Sequence, residues 1–342
     1  MATFETIKLD KGLYRSGLGI NAELERIDPS ENYKGTSLEG LDAFERQLKR
    51  FDIKIKGASS SPIEKFFQTS DSAVLFPEYI SRAVRQGMNE SFSVDDLIAT
   101  RTDINGLDYR TIETIPEETP EQGMLSANTI AEGETIPEAQ VKTKSNLVKL
   151  HKSGKMLVAS YEALRFQRLD IFSVALKEIG AYLARTQTAE AISTIIQGDG
   201  NNNEISFVTR GVTAPLSYSD LVKLWNSLDP YTMNTIITSG DIAASIVCLP
   251  EMRDAVAGLN FHATGKAVTP LGAKLIRHKM VSNGIIAFDK NYTLEMVTAG
   301  GIVTDFDKLI DRQLERAAIT QIYGFAKICN NACIGMDLGE TE

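Results

Sequence analysis

The sequence predicts an α+β protein. Three observations carry that expectation: one very long helical segment, a proline-punctuated β-rich stretch before it, and a later region where helical and strand patterns alternate. At 342 residues the chain is long enough for one large or two ordinary domains, each with its own core.

In chain order, residues 1–35 are rich in Gly, Asn, Asp and Ser, with scattered single apolar residues, and read as an extended arm. "TSLEGLDAFERQLKRF" follows and reads as a helix. Thr36 and Glu39 have capping-box spacing, and Leu38, Leu41, Phe44, Leu48 and Phe51 fall on one stripe. Such a stripe either covers the chain's own core or docks on a neighbouring subunit. Gly57 to Pro62, "GASSSP", is linker chemistry and the first boundary. A short helix is expected at about Pro77 to Met88.

Residues 95–160 read as β-structure with long loops, and their charge is sorted by sign. From Thr111 to Val141 the chain carries Glu113, Glu117, Glu118, Glu121, Glu132, Glu134 and Glu138, with no Lys or Arg. From Lys142 to Tyr161 it carries Lys142, Lys144, Lys149, Lys152 and Lys155, with no Asp or Glu. Pro116, Pro120 and Pro137 keep the acidic block out of a helix or central strand. "NLVKLHKSGKMLVAS" alternates loosely, and Ser153-Gly154 is expected to break it as a hairpin or bent strand.

The longest element runs from Asp170 to Gln197, with Asp170 as N-cap and Gly198 just past its end. Such a helix spans ~42 Å at 1.5 Å per residue. Ile171, Val174, Ala175, Ile179, Tyr182, Leu183, Ile192, Ile195 and Ile196 cover more than one stripe, so packing on two sides is expected. "GDGNNNE" then reads as a polar turn. Residues 205–290 alternate: helix in "SDLVKLWNSL", strand in "MNTIITS", a broken helix in "DIAASIVCLPEMRDAVAG", strand in "LGAKLIRHKMV". "GIIAFDKNYTLEMVT" reads as two strands around Asp289-Lys290-Asn291. The tail from Phe306 to Met336 suits a helical period in Ile310, Leu314, Ala317, Gln321 and Phe325, while its context suits a long strand.

Several function classes drop out. A net charge of −9 offers no basic stripe for gripping phosphates, which excludes sequence-specific DNA binding. Three cysteines, Cys248, Cys329 and Cys333, are too few and odd for a disulfide framework, so a reducing compartment is expected. Neither a membrane span nor a secretory signal is expected. His151, His262 and His278 lie far apart in sequence, and Cys329-x3-Cys333 lacks a second pair to complete four metal ligands. The nucleotide, nucleophile-elbow and zincin motifs are absent. "GDG" follows a helix C-terminus, whose dipole repels anions, so it is a turn rather than a phosphate site. No metal, cofactor or catalytic site is expected. Acidic residues are too numerous for sequence to sort out a carboxylate pair, so a cytosolic α/β enzyme remains the residual reading.

One set of motifs is more specific in combination. "EGETIPEA" (Glu132 to Ala139), "SYEAL" (Ser160 to Leu164), "LDI" (Leu169 to Ile171) and "GDG" (Gly198 to Gly200) occur in that order. "GIIAFDKNYTLEM" and "GFAKICNNACIGM" follow later. Their order and spacing resemble the signature of tailed-bacteriophage major capsid proteins, over roughly Pro62 to Met336. The resemblance implies the capsid fold of the Hong Kong phage type. On that implication residues 1–61 form an N-terminal arm with a short helix, and 62–99 begin the peripheral domain. Residues 100–157 form an extended two-stranded E-loop, and 158–199 carry the peripheral domain and its long spine helix. Residues 200–290 form an axial α/β domain, and 291–342 return to the peripheral domain as closing strands. That implication tips the tail towards strand.

The implied function is a shell of pentamers and hexamers, the icosahedral head that encloses double-stranded DNA, with no catalysis and no cofactor. Implied partners are other copies of the chain, a scaffolding protein, a portal protein and DNA in weak non-specific contact, with no membrane. Assembly is expected in the host cytoplasm and residence in the virion. Some members carry a long cleaved scaffolding segment, whereas about sixty residues precede the shared core here. An uncleaved arm and a separate scaffolding protein are therefore expected.

Candidate contact residues follow. Glu132, Glu134 and Glu138 with Lys142, Lys144 and Lys149 would pair across a subunit boundary in the loop, or face each other as the two strands of one loop. Leu41, Phe44 and Leu48 would dock the arm. The alternative within the same fold is an encapsulin-like nanocompartment, which the extended arm argues against.

Overall fold

The computed structural model describes residues 4–14, 19–90, 94–115, 140–160, 162, 166–210, 215–253 and 267–338. Its helices are α1 (Ile20–Ile27), α2 (Ala43–Arg50), α3 (Ser70–Ala73), α4 (Phe76–Glu90) and α5 (Leu169–Gln197), then α6 (Tyr218–Ser227), α7 (Gly240–Val247), α8 (Pro250–Arg253) and α9 (Lys290–Thr293). The strands of the first half are β1 (Thr100–Asp103), β2 (Ile112–Ile115), β3 (Gln140–Thr143), β4 (His151–Ser160), β5 (Ser206–Val208) and β6 (Thr235–Thr238). Then come β7 (Lys274–Arg277), β8 (Gly284–Phe288), β9 (Leu294–Thr298), β10 (Val303–Leu309), β11 (Leu314–Lys327) and β12 (Cys333–Asp337). The chain divides into two compact units. The first is Met1–Ser93, Lys152–Thr186 and Gly301–Ile322; the second is Val94–His151, Gln187–Gly300 and Tyr323–Glu342.

In the first unit the N-terminal residues depart from the expected extended arm. Ile20 and Leu24, one helical turn apart, are fully buried, and Ile7 and Leu9 join the same core. Polar side chains complete the docking. Asn21 Oδ1 accepts from the Phe44 N–H at 3.0 Å, and Glu25 Oε1 accepts from the Ala43 N–H at 2.7 Å. These satisfy donors at the start of α2 that its own backbone leaves orphaned. The helix also starts later than its sequence pattern suggested. Asp42, not Thr36, is the N-cap: its side chain accepts from Glu45 N, and Glu45 reaches back to Asp42 N. Asp42 wins because Gly40, at φ 81°, turns the chain between Thr36 and the helix.

Helices α4 and α5 pack backbone to backbone. A Cβ on Gly180 would lie 2.1 Å from the Val84 carbonyl oxygen, and one on Gly87 2.1 Å from that of Lys177. The Tyr79 hydroxyl donates to the Leu169 carbonyl at 2.7 Å. Helix α5 begins at Leu169, so Asp170 sits in its first turn, where its carboxylate accepts from Ile171 N. The chain buries Phe172, Leu176, Ile179 and Leu183 but leaves Ile171, Val174 and Tyr182 exposed on a second stripe. Strand β4 does not break at Ser153-Gly154. It is continuous, and Gly154 is there because a Cβ would meet the Ile319 carbonyl of paired β11 at 2.4 Å. β10 pairs antiparallel with the first half of β11, so the ambiguous tail is a strand.

The second unit holds a five-stranded sheet ordered β5-β12-β8-β6-β7. β8 runs antiparallel to β12 and β6, whereas β5 and β7 add in parallel. Leu221 and Leu224 of α6, and Ala243 and Ile246 of α7, pack with Ile236, Ile285 and Met336 beneath them. β12 was expected among the closing strands of the peripheral domain. It pairs instead with β8, Cys333 opposite Phe288, inside the α/β sheet. Asp289 caps the single turn of α9, accepting from Asn291 N, so β8 and β9 diverge to different sheets. β9 pairs in parallel with β1 and antiparallel with the last residues of β11.

Candidate functional site: the charge-sorted loop and its root

The two legs of the loop are β2 and β3, paired antiparallel with Ile112 opposite Thr143 and Glu113 opposite Lys142. The first acid of the negative block therefore stands in register with the first lysine of the positive block, as the within-loop reading requires at that one pair. Glu132, Glu134 and Glu138 lie outside the described residues. Lys142 and Lys149 are exposed.

Lys144 corrects the expectation. It is buried, so it is not free for a neighbouring subunit. Its ammonium donates to the Lys327 carbonyl and lies 3.9 Å from Asp199 Oδ2. Asp199 is the middle residue of "GDG", and the turn acts as a clamp. Its Oδ2 accepts from Lys327 N at 2.9 Å, and its Oδ1 accepts from the Asn201 side chain at 2.9 Å. Gly198 permits the turn at φ 76°, with Asn203 Oδ1 only 2.5 Å from where a Cβ would stand. Burial alone would raise the Asp199 carboxyl, but the Asn201 and Lys327 hydrogen bonds and the Lys144 charge outweigh it and hold the group below its usual range. Lys327 has no exposed surface; its ammonium donates to Asn203 O at 2.8 Å and Ile195 O at 3.3 Å. It thus neutralises the negative C-terminal end of α5. Asn146 adds a further tie, its amide donating to Gly200 O at 2.6 Å. Sequence marked "GDG" as a turn; the signal missed was that a buried lysine far down the chain fills it.

The outgoing leg is held at Glu295 of β9, a residue the sequence offered no reason to select. Glu295 is buried, and hydroxyls from Thr102 (2.5 Å), Tyr109 (2.8 Å) and Thr111 (2.8 Å) donate to its carboxylate. Burial first, and then the neighbouring Glu295 carboxylate, push the Tyr109 phenol up, so it remains a donor.

The arm candidates are used within the chain. Phe44 and Leu48 are buried in the first unit's core, and Leu41 is half-buried. Their stripe covers a core rather than waiting for a neighbour, because α1 lies against it. Among the described residues no group of three His, Cys, Asp or Glu could hold a metal ion, and no helix is long and apolar enough to cross a membrane.

A model of the phage capsid family matches residues 72–255. No curated protein matches the chain by sequence. Among solved structures, the chain is similar to the capsid of an empty GTA particle, with 14% identity over 72% of this chain and 90% of that one, at a TM-score of 0.50. The capsid of a native GTA particle gives 15% identity, the same coverages and a TM-score of 0.50. Gordonia phage Cozz gives 15% identity over 73% and 87%, at 0.49. At these identities the likeness speaks to fold: the α+β chain has the tailed-phage capsid fold.

Proposed function

The chain belongs to the phage capsid family and is a shell protein, and we propose that its copies close as pentamers and hexamers around double-stranded DNA. The charge-sorted loop is proposed to lie across a neighbouring copy. The observation that carries this reading is the contrast between the loop's root and its face: buried bonds hold both legs, while Lys142 and Lys149 remain exposed. A segment with a fixed root and exposed charges suits register-setting contacts between subunits, where complementary charge suppresses wrong neighbours. Each exposed pair contributes only ~0–1 kcal/mol, but the contact recurs at every subunit of a shell. A net charge of −9 suits an inner wall past which DNA slides, since it offers little for phosphates to grip. A scaffolding protein, a portal protein and assembly in the host cytoplasm belong to the same proposal, as does the absence of catalysis.

A second reading, a nanocompartment loaded with protein, is favoured by the N-terminal residues, which fold as packed helices rather than as an arm. Expression with and without a scaffold partner, followed by negative-stain electron microscopy, tests both. Shells or capsomer rings support the shell reading, and their nucleic-acid content separates phage head from compartment. A stable monomer under both conditions would overturn it. The Lys142→Glu, Lys149→Glu double variant should assemble with a weaker salt dependence and lower yield, read by light scattering. An unchanged salt profile would remove these two lysines from the contact.

A further inference from the structure

We propose that Glu295 is the positioning residue of the loop: a buried carboxylate latch that fixes where both legs leave the subunit. The inference about assembly rests on the shell reading; the inference about the legs does not.

The geometry is unusual for a buried acid. The described contacts of Glu295 are hydroxyls, not cations. Thr102 and Tyr109 donate to Oε1 and Thr111 donates to Oε2, so all three donors come from the ten-residue stretch that leads from β1 into the outgoing leg. A buried carboxylate costs free energy unless its lone pairs are filled, and here the outgoing leg fills them. The same residues then carry the returning leg. The Tyr109 carbonyl accepts from Val148 N at 2.8 Å, and the Thr111 carbonyl accepts from Lys144 N at 2.9 Å. Glu295 therefore acts on the second leg through the backbone of the first.

β9 lies between β1 and β11, with Glu295 opposite Thr100 on one side and Ala326 on the other. It is thus a fixed point in the sheet, not a mobile side chain at an edge. Lys144 bonds the Lys327 carbonyl next to Ala326. The two legs converge on neighbouring positions of one strand pair, and Glu295 is the anionic half of that root. If the latch opens, Thr102, Tyr109 and Thr111 lose a charged acceptor together, and the pairing of Lys144 and Val148 loses its support.

The test is hydrogen exchange with mass spectrometry on full-length, unassembled subunits, wild type beside Glu295→Ala and Glu295→Gln. Peptides covering 102–115 and 140–150 should exchange about tenfold faster or more in Glu295→Ala and by a smaller factor in Glu295→Gln, which keeps one acceptor oxygen. Peptides over α6, β6 and β8 should not change. A Tyr109→Phe, Thr111→Val variant deletes two donors while keeping Glu295, and it should reproduce the local effect. It serves as the deciding measurement if Glu295→Ala does not fold. Unchanged exchange in the legs would overturn the latch, as would a loss of protection spread evenly over the second unit. Assembly is then scored separately: faster leg exchange with normal shells would keep the latch and detach it from assembly.

Discussion

Arg46 shows how single residues decide which segments belong to the body of this protein. Its side chain has no exposed surface; Nη2 donates to Asp28 O at 2.5 Å, Nη1 to Leu41 O at 2.9 Å and Ser30 Oγ at 2.7 Å, and the guanidinium lies 4.5 Å above the Tyr33 ring. Asp28, itself buried, stands 3.4 Å from Nε. Removing the cation leaves that carboxylate uncompensated, so Arg46→Met should cost ~3–5 kcal/mol, read as a lower urea midpoint. A shift under ~1 kcal/mol would mean that this network does not hold the N-terminal residues down. Asp199 yields a pH prediction. Its folded pKa is depressed, so its stabilisation is complete above the unfolded value of about 3.9 and drains as pH falls through the lower folded value. Wild type should therefore exceed Asp199→Asn in stability at pH 6, and the gap should shrink steadily below about pH 4. A gap that stays constant down to pH 2 would show that the Asp199 charge is not what clamps the turn.

Between α4 and α5, glycine sets the distance of approach. Two opposing effects act at Gly180: alanine improves helix propensity by ~1 kcal/mol, while its Cβ would stand 2.1 Å from the Val84 carbonyl oxygen and 2.8 Å from Met88 N. Those are backbone atoms that cannot rotate away, and overpacking of this kind costs ~1–3 kcal/mol or more. Gly180→Ala should therefore destabilise despite its better propensity, whereas a rise in melting temperature would refute the close crossing. Sequence made this helix legible because its apolar positions persist over eight turns, and α6, α7 and β6 because their periods are short and clean. It misjudged Ser153-Gly154 because β4 runs on unbroken there, its glycine required by β11 rather than by a turn. A glycine required by a neighbouring backbone looks the same, in one dimension, as a glycine required by a turn. The start of α2 failed differently: Thr36 and Asp42 both have an acid three residues on, and only the turn at Gly40 decides between them. The roles of Lys144, Lys327 and Glu295 were illegible because their partners lie far off in the chain: Lys144 bonds a carbonyl 183 residues away, Glu295 accepts from Thr102 193 residues away, and the Lys327 ammonium bonds carbonyls 132 and 124 residues away.

At the scale of the whole molecule, stability and assembly draw on different surfaces. The cores account for Phe44, Phe172, Ile236 and Ile285, all buried within the chain. They do not account for α5, where Ile171 is 57% exposed, Val174 64% and Tyr182 45%. These positions, spaced three and eight residues apart, line up along one side of a helix whose other side is already packed. A row of exposed apolar side chains on a shell protein is what a second copy would cover, since association buries it without disturbing the fold beneath. Val174→Asp separates the two roles. The residue makes little contribution to the core, so the melting temperature of the unassembled subunit should move by no more than the equivalent of ~0.5 kcal/mol. In the shell the added carboxylate would be desolvated without a partner, which costs several kcal/mol per site. Sedimentation should then show folded, unassembled subunits where wild type forms shells. Normal shells from Val174→Asp would place this stripe at a solvent-facing surface of the particle and move the search for the contact to Met156 and Val158, exposed on β4.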